Sequence, residues 1–445
     1  MRCWRPLSVA LALLSGCTAP TSQPPAEESG AVSAQEAGPW TPCTNTAVPV
    51  GLAPEATGTE SHELVHGGPA LFYFSGDQGT GRGLWTSSGT QGRGAVFLKA
   101  LERGPTGQEP SALTRVGDRV FFTAGDAQHG MELWVSDGTP AGTHLVKDLW
   151  PGEDGSFPSA LFEYKGQLYF TASDEEHGRE LWRSDGTAEG TVLLADHEPG
   201  PEGTAPDRLT VGGDGALYFF AHFQDITALM RSDGGPTAVE LFRMPPEGSI
   251  LESLTPVGKR LFFVAGDLHE PMVHLMVTEG GAPPMRVGMF AELRELVSLG
   301  GKLYFTATSG DEGTDTELWR SDGTPKGTKR VKDLRTGPEG SHPSGLTALG
   351  KQLFFAADNG AHGRELWVSD GTEAGTRLFA DLEPGKPGSS PEGLVALQGQ
   401  LFFSASTAQR GREAWMSAGL PGRTQALGEL VPGTPSSEPR SFVRA

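Results

Sequence analysis

Two kinds of residue in this chain have the types and spacing for chemistry. The first is a histidine three places after a carboxylate or an amide: Asp126 with His129, Asp174 with His177, and Asn359 with His362. Imidazole and carboxylate together can hold a divalent cation. The second is a set of glutamates, Glu132, Glu180, Glu317, Glu365 and Glu413, each placed to act as a general acid or base. Both sets recur along the chain, and recurrence argues against catalysis, because one substrate needs one asymmetric constellation. Each histidine sits beside a glycine of its own loop (Gly130, Gly178, Gly363), so a cap on that loop accounts for it without a ligand. No nucleophile motif, zinc spacing or phosphate-binding loop stands out. The sequence therefore assigns no catalytic residue, no metal and no cofactor.

The recurrence itself leads to the elements that carry these residues. The segment Glu132, Leu133, Trp134, Val135, Ser136, Asp137, Gly138, Thr139 returns around Trp182, Trp319 and Trp367, and more weakly around Trp85 and Trp415. Two further copies place methionine where the others have tryptophan, at Met230 and Met276. The eight anchors lie 43 to 49 residues apart, a period that marks a repeat architecture. Four residues after each anchor stands a glycine: Gly89, Gly138, Gly186, Gly234, Gly280, Gly323, Gly371 and Gly419. A place that accepts glycine alone while its neighbours vary predicts a tight turn with positive φ. The preceding Asp137, Asp185, Asp233, Asp322 and Asp370 are placed to accept hydrogen bonds from that turn.

Within one copy, four strand signals follow in order. Around Trp367 they are Gly345 to Leu349, Gln352 to Ala357, Glu365 to Ser369 and Thr376 to Leu382, with a longer connection from Pro384 to Pro391. Short turns inside a copy and one long crossing between copies predict an all-β fold, an eight-bladed β-propeller of four-stranded antiparallel blades. The glycine and proline content (63 and 34 residues) excludes a helical solenoid, and a linear β-solenoid would need shorter rungs. The anchor tryptophans are expected on a half-buried strand, wedged between neighbouring blades. Near the ends, Phe442 repeats the first-strand place of Leu394, and Thr46 to Leu52 repeats a fourth strand. Surplus strands of this kind are expected to latch the first and last blades together.

These segments resemble the ELWxxDGT repeat found in tandem in bacterial secreted proteins and lipoproteins. Four copies match it nearly letter for letter and two more in part, over about residues 46 to 445. The resemblance implies a propeller-like fold and an extracytoplasmic location, and it implies no established reaction. The two methionine copies, about residues 207 to 295, depart from it, and a specialised side of the ring is expected there.

The N-terminus agrees with export. Arg2 and Arg5 precede a short apolar run, Leu7 to Leu14, too short to span a bilayer. Leu14, Ser15, Gly16 and Cys17 then resemble a lipobox, which makes Cys17 the expected lipidation site. Residues 1–16 read as the signal peptide, 17–45 as a flexible tether rich in Pro, Ser, Ala and Glu, and 46–445 as the propeller. With Cys3 removed and Cys17 acylated, Cys43 has no partner for a disulfide. The formal charge of −20 argues against nucleic acid as a partner. The expectation is an exported monomer, tied to the cell envelope at the outer membrane by its N-terminal lipid alone, that binds or scaffolds a protein or glycan through one propeller face. The alternatives are an outer-membrane assembly factor of the same shape, and a propeller hydrolase or dehydrogenase.

Overall fold

The computed structural model describes residues 10–13, 61–67, 70–76, 82–87, 95–101, 109–427 apart from 127, 225, 245–248, 268 and 310–313, and 440–444. Cys17, Gly89, the tether and the Thr46 to Leu52 segment lie outside them. Every regular element among the described residues is a β-strand. Thirty-two of these strands form eight four-stranded antiparallel sheets, each built from four consecutive strands, so the chain is an eight-bladed β-propeller. The blades occupy 61–101, 111–147, 159–195, 207–244, 249–290, 292–332, 344–380 and 392–426 and are numbered 1 to 8 in that order. In blade 7 the strands are Ser344–Leu349, Gln352–Asp358, Arg364–Ser369 and Arg377–Ala380, in the order and phase that the turn residues predict.

The hydrophobic core is divided among the blade junctions. Phe121, Leu133 and Val135 of blade 2 pack with Leu168, Phe170 and Trp182 of blade 3, and the same layering recurs at seven junctions among the described residues. The anchors of blades 2 to 8 lean on the preceding blade, as Trp134 does on blade 1, Trp182 on blade 2 and Trp367 on blade 6. The indole N–H groups of these three donate to the carbonyls of Ala124, Ala172 and Ala357 at 3.0 to 3.1 Å, which satisfies the one polar atom that burial would strand. Met230 and Met276 fill the same junction place without that bond.

The anchor strands are half-buried, as expected, or more: three of the six residues of Thr316–Ser321 are buried, and all seven of Gly130–Ser136. One expectation requires correction. The surplus C-terminal strand does not complete blade 1, whose four places are filled by its own strands. Arg440–Arg444 instead pairs in parallel with Ala10–Leu13 and lies beside the first strand of blade 8, Glu392–Leu397.

The first strands share a feature that no residue type announces. In blades 2 to 8 the pairing of the first strand with the second slips by one residue, as between Ser111 and Thr114 or between Arg294 and Val297. The extra residue takes a left-handed conformation: Ala112, Ala160, Arg208, Ser253, Glu295, Gly345 and Gly393 all have φ between +50° and +68°. A bulge at a fixed place in each blade bends every first strand alike.

Candidate functional site

The repeated polar residues are consumed by the fold. In the turn after the third strand, Asp137 Oδ1 accepts the Thr139 N–H at 2.9 Å and its hydroxyl at 2.7 Å. The Thr139 hydroxyl accepts the Gly142 N–H, and the Ser136 and Thr143 hydroxyls meet at 2.7 Å. Blades 3, 6 and 7 repeat the aspartate contacts at Asp185, Asp322 and Asp370. Asp233 differs: it pairs with Arg231 at 3.3 Å. The seven described turn glycines have φ between +61° and +90°. A second glycine of this turn escapes sequence reasoning. A Cβ on Gly142 would lie 2.1 Å from Asp137 Oδ1, so the residue leaves room for the carboxylate.

Glu132, Glu180, Glu317, Glu365 and Glu413 are fully buried. Glu132 accepts the N–H of Trp150 (3.1 Å) and of Ser156 (2.9 Å) and the Ser156 hydroxyl (2.6 Å), all on the crossing to blade 3. Glu180 holds Thr204 in the same way, Glu317 holds Ser341 and Glu365 holds Ser389. Burial pushes the Glu132 carboxyl up to about 7, against the pull of these donors, and raises Glu317 and Glu365 as well. Glu132, Glu180, Glu317 and Glu365 thus tie a third strand to the connection that follows it.

The histidines stay within their own loops. Asp126 Oδ1 accepts the His129 N–H at 2.8 Å while the imidazole Nδ1 lies 2.9 Å from the same carboxylate; Asp174 treats His177 alike, and Asn359 holds His362. The hydrogen bond to aspartate raises His129 and His177 above the ordinary histidine value. The carboxylates of Asp315, Glu317 and Asp333 converge. Arg330 already supplies their counter-charge, 2.9 Å from Asp315 and 3.5 Å from Asp333.

The symmetry breaks where blade 3 hands over to blade 4, on the face that carries the crossings and the second-to-third-strand loops. In blades 3 and 7 the third strand opens with an arginine that reaches back to the first strand and to the preceding crossing: Arg179 to Ser159 and the Phe157 carbonyl, Arg364 to Ser344 and the His342 carbonyl. Blade 4 has Thr227 in the arginine place, opposite His222, and Asp207 in the serine place. His222 Nδ1 lies 3.4 Å from the Thr227 hydroxyl, and its Nε2 lies 3.6 Å from Asp207 Oδ1. Thr227 is buried, whereas the His222 and Asp207 side chains are 43% and 45% exposed.

The same group continues inward. The His222 N–H donates to the Thr204 carbonyl at 2.6 Å, and Thr204 is the residue held by Glu180. His197, in the crossing place that Leu149 and Leu334 occupy elsewhere, approaches Glu180 at 3.9 Å. Both of its ring nitrogens are buried without a hydrogen-bond partner. Thr316 of blade 6 and Glu392 of blade 8 show that a threonine or an acid at these places is not confined to blade 4, but here they meet two histidines, His197 and His222, in one polar track from a buried His–Glu pair to an exposed imidazole. Cross-strand register brings them together, so a methionine at the anchor was their only mark in the sequence.

No family model matches the chain, and no curated protein matches it. Among solved structures it is similar to a puromycin hydrolase (16% identity over 73% of this chain and 54% of that one, TM-score 0.39). It is also similar to a puromycin-hydrolyzing peptidase of Mycobacterium tuberculosis (13%, 80% and 61%, TM-score 0.41) and to prolyl oligopeptidase B from Galerina marginata (10%, 72% and 51%, TM-score 0.42). The chain spans between 51% and 61% of the length of these three proteins. A likeness of this strength assigns neither a residue nor an activity.

Proposed function

We propose that the chain is a cell-envelope binding or scaffold propeller, held by lipid on Cys17, that engages a protein or glycan through the crossing face of blade 4. One observation carries this reading: Glu132, Glu180, Glu317 and Glu365 and the turn aspartates of blades 2, 3, 6 and 7 are satisfied within the fold, while Asp207 and His222 face solvent. An exposed imidazole and carboxylate beside a hydroxyl offer both donors and acceptors, the set that hydroxyl-rich or peptide surfaces require.

A photo-crosslinking residue at exposed Gln224, next to His222, tests the face on intact cells, with exposed Ala408 of blade 8 as the control. A partner captured at 224 and lost in His222→Ala supports the reading, and equal capture at both places overturns it. Membrane-assembly machinery among the captured proteins would identify the assembly-factor variant. Palmitate label that persists in Cys17→Ala would refute the anchor.

The hydrolase reading has one observation in its favour. Thr227, His222 and Asp207 stand in series as hydroxyl, imidazole and carboxylate, although both separations exceed the 2.6 to 3.2 Å or so of a working proton transfer. Ester hydrolysis by the pure protein that disappears in Thr227→Val with the fold intact would favour it over binding alone.

A further inference from the structure

On the opposite face, where the turns between third and fourth strands lie, blade 6 forms a recess of about 270 Å³. Its walls are Lys302, Arg320, Lys326 and Lys329, with Asp322, Thr324 and Gly327 of the turn. Lys302 opens the second strand, Arg320 nearly ends the third, and Lys329 opens the fourth, directly across from Arg320. Three strands and one turn therefore aim four cations into one volume.

Two observations separate this recess from an ordinary charged surface. The first is its excess of positive charge, four cations against the single carboxylate of Asp322. Its neighbours are committed, Arg330 to Asp315 and Asp333, and Lys332 to the Thr376 carbonyl. None of the four recess cations pairs with a carboxylate among the described residues. Asp322, the one acid present, spends Oδ1 on the N–H and hydroxyl of Thr324. The second is the comparison between copies. Blades 2, 3 and 7 share the same turn, and at these four places each holds a single lysine or arginine: Arg119, Arg183 and Arg377. In a chain of net charge −20 the like-charge repulsion among four converging cations has no structural use in the other copies.

We propose that this recess binds an oxyanion carrying two or more negative charges, a phosphate group in particular. Arginine supplies a planar fork for two of its oxygens, and the lysines supply point charges around the others. This site is separate from the crossing face, so either can fail without the other.

The experiment titrates the full chain with sodium pyrophosphate against sodium chloride of matched ionic strength, and in a second arm mixes it with phosphatidylglycerol or phosphatidylcholine vesicles. Saturable pyrophosphate binding, weakened at least tenfold in Lys326→Ala/Lys329→Ala, supports a site for free phosphate compounds. Uptake on phosphatidylglycerol vesicles that the double variant loses assigns the phosphate to a lipid headgroup. Both lysines are exposed, so the variant is expected to melt as the wild type does. Absence of binding in both arms, or binding unchanged in a folded double variant, overturns the proposal.

Discussion

The Glu132 carboxylate receives both the backbone N–H and the hydroxyl of Ser156, at 2.9 and 2.6 Å, across 24 positions of sequence. The same separation of 24 joins Glu180 to Thr204, Glu317 to Ser341 and Glu365 to Ser389. A glycine precedes each hydroxyl residue, and at Gly155 a Cβ would lie 2.3 Å from the Met131 nitrogen, so the crossing rests directly on the third strand. A glutamate that reads as a catalytic acid in the sequence is thereby a structural tie.

Removal of one such tie should be costly. Glu365 accepts the N–H groups of Leu382, Glu383 and Ser389 as well as the Ser389 hydroxyl. Glu365→Ala leaves the buried N–H and hydroxyl of Ser389 without an acceptor, and at about 1 to 3 kcal/mol for each unsatisfied group the loss should reach about 2 to 6 kcal/mol. Ser389→Ala keeps the backbone donor and should lose about 1 kcal/mol. Urea denaturation of the two variants checks the order.

Stability should fall as pH rises from about 4.5 to 7. The Glu132 carboxyl stands at about 7 in the folded chain against 4.5 when unperturbed. Below 4.5 both states hold the proton; between the two values the folded state alone retains it, so each increment of pH favours unfolding; above 7 both are ionised. The full effect is about 3 kcal/mol, since each tenfold gain in proton affinity on folding corresponds to about 1.4 kcal/mol. The raised values of Glu317 and Glu365 act in the same direction. Thermal melts of wild type and Glu132→Gln from pH 4 to 8 should converge at the acid end if the wild type carries this dependence, and parallel curves would exclude it.

The junction tryptophans should tolerate methionine better than alanine. Trp367 is 5% exposed and packs on Leu318 and Val331 of blade 6. Trp367→Ala should cost about 3 to 5 kcal/mol by opening a cavity. Trp367→Met restores the occupant that blades 4 and 5 already use and should cost less than half as much. An unchanged melting curve for the alanine variant would dismiss the wedge.

The turn glycine under the aspartate makes a double-mutant test. A Cβ on Gly375 would stand 2.0 Å from Asp370 Oδ1, so Gly375→Ala should cost about 1 to 3 kcal/mol through crowding. In Asp370→Ala the obstructing carboxylate is gone, and adding Gly375→Ala should then cost much less. Additive losses would show that the two residues do not meet.

The four strands of blade 7, the turn glycines and the division into eight copies were legible because they depend on local signals, alternation and turn chemistry. The bulge was illegible at Ala112 and Ala160, since alanine does not announce a left-handed conformation and the requirement comes from the neighbouring strand. The tie from Glu132 to Ser156 was hidden for a different reason: its two ends are 24 residues apart and neither side chain is unusual alone. The Asp207, His222 and Thr227 group is set by strand register, and only the methionine at position 230 hinted that this blade had departed from the rest.

The ties also set how the ring comes apart. Each tie makes one blade's third strand depend on the approach to the next, so disorder spreads between neighbours and cooperativity is a property of the links. Ala228 and His274 take the glutamate place in blades 4 and 5, opposite Ala221 and Ala265. Two successive links are therefore weakened on the blade that carries His222 and on the blade after it. Amide exchange and the first protease cuts should start on that arc, with the tied blades 2, 3, 6 and 7 protected longer and the exposed imidazole resting on a compliant support.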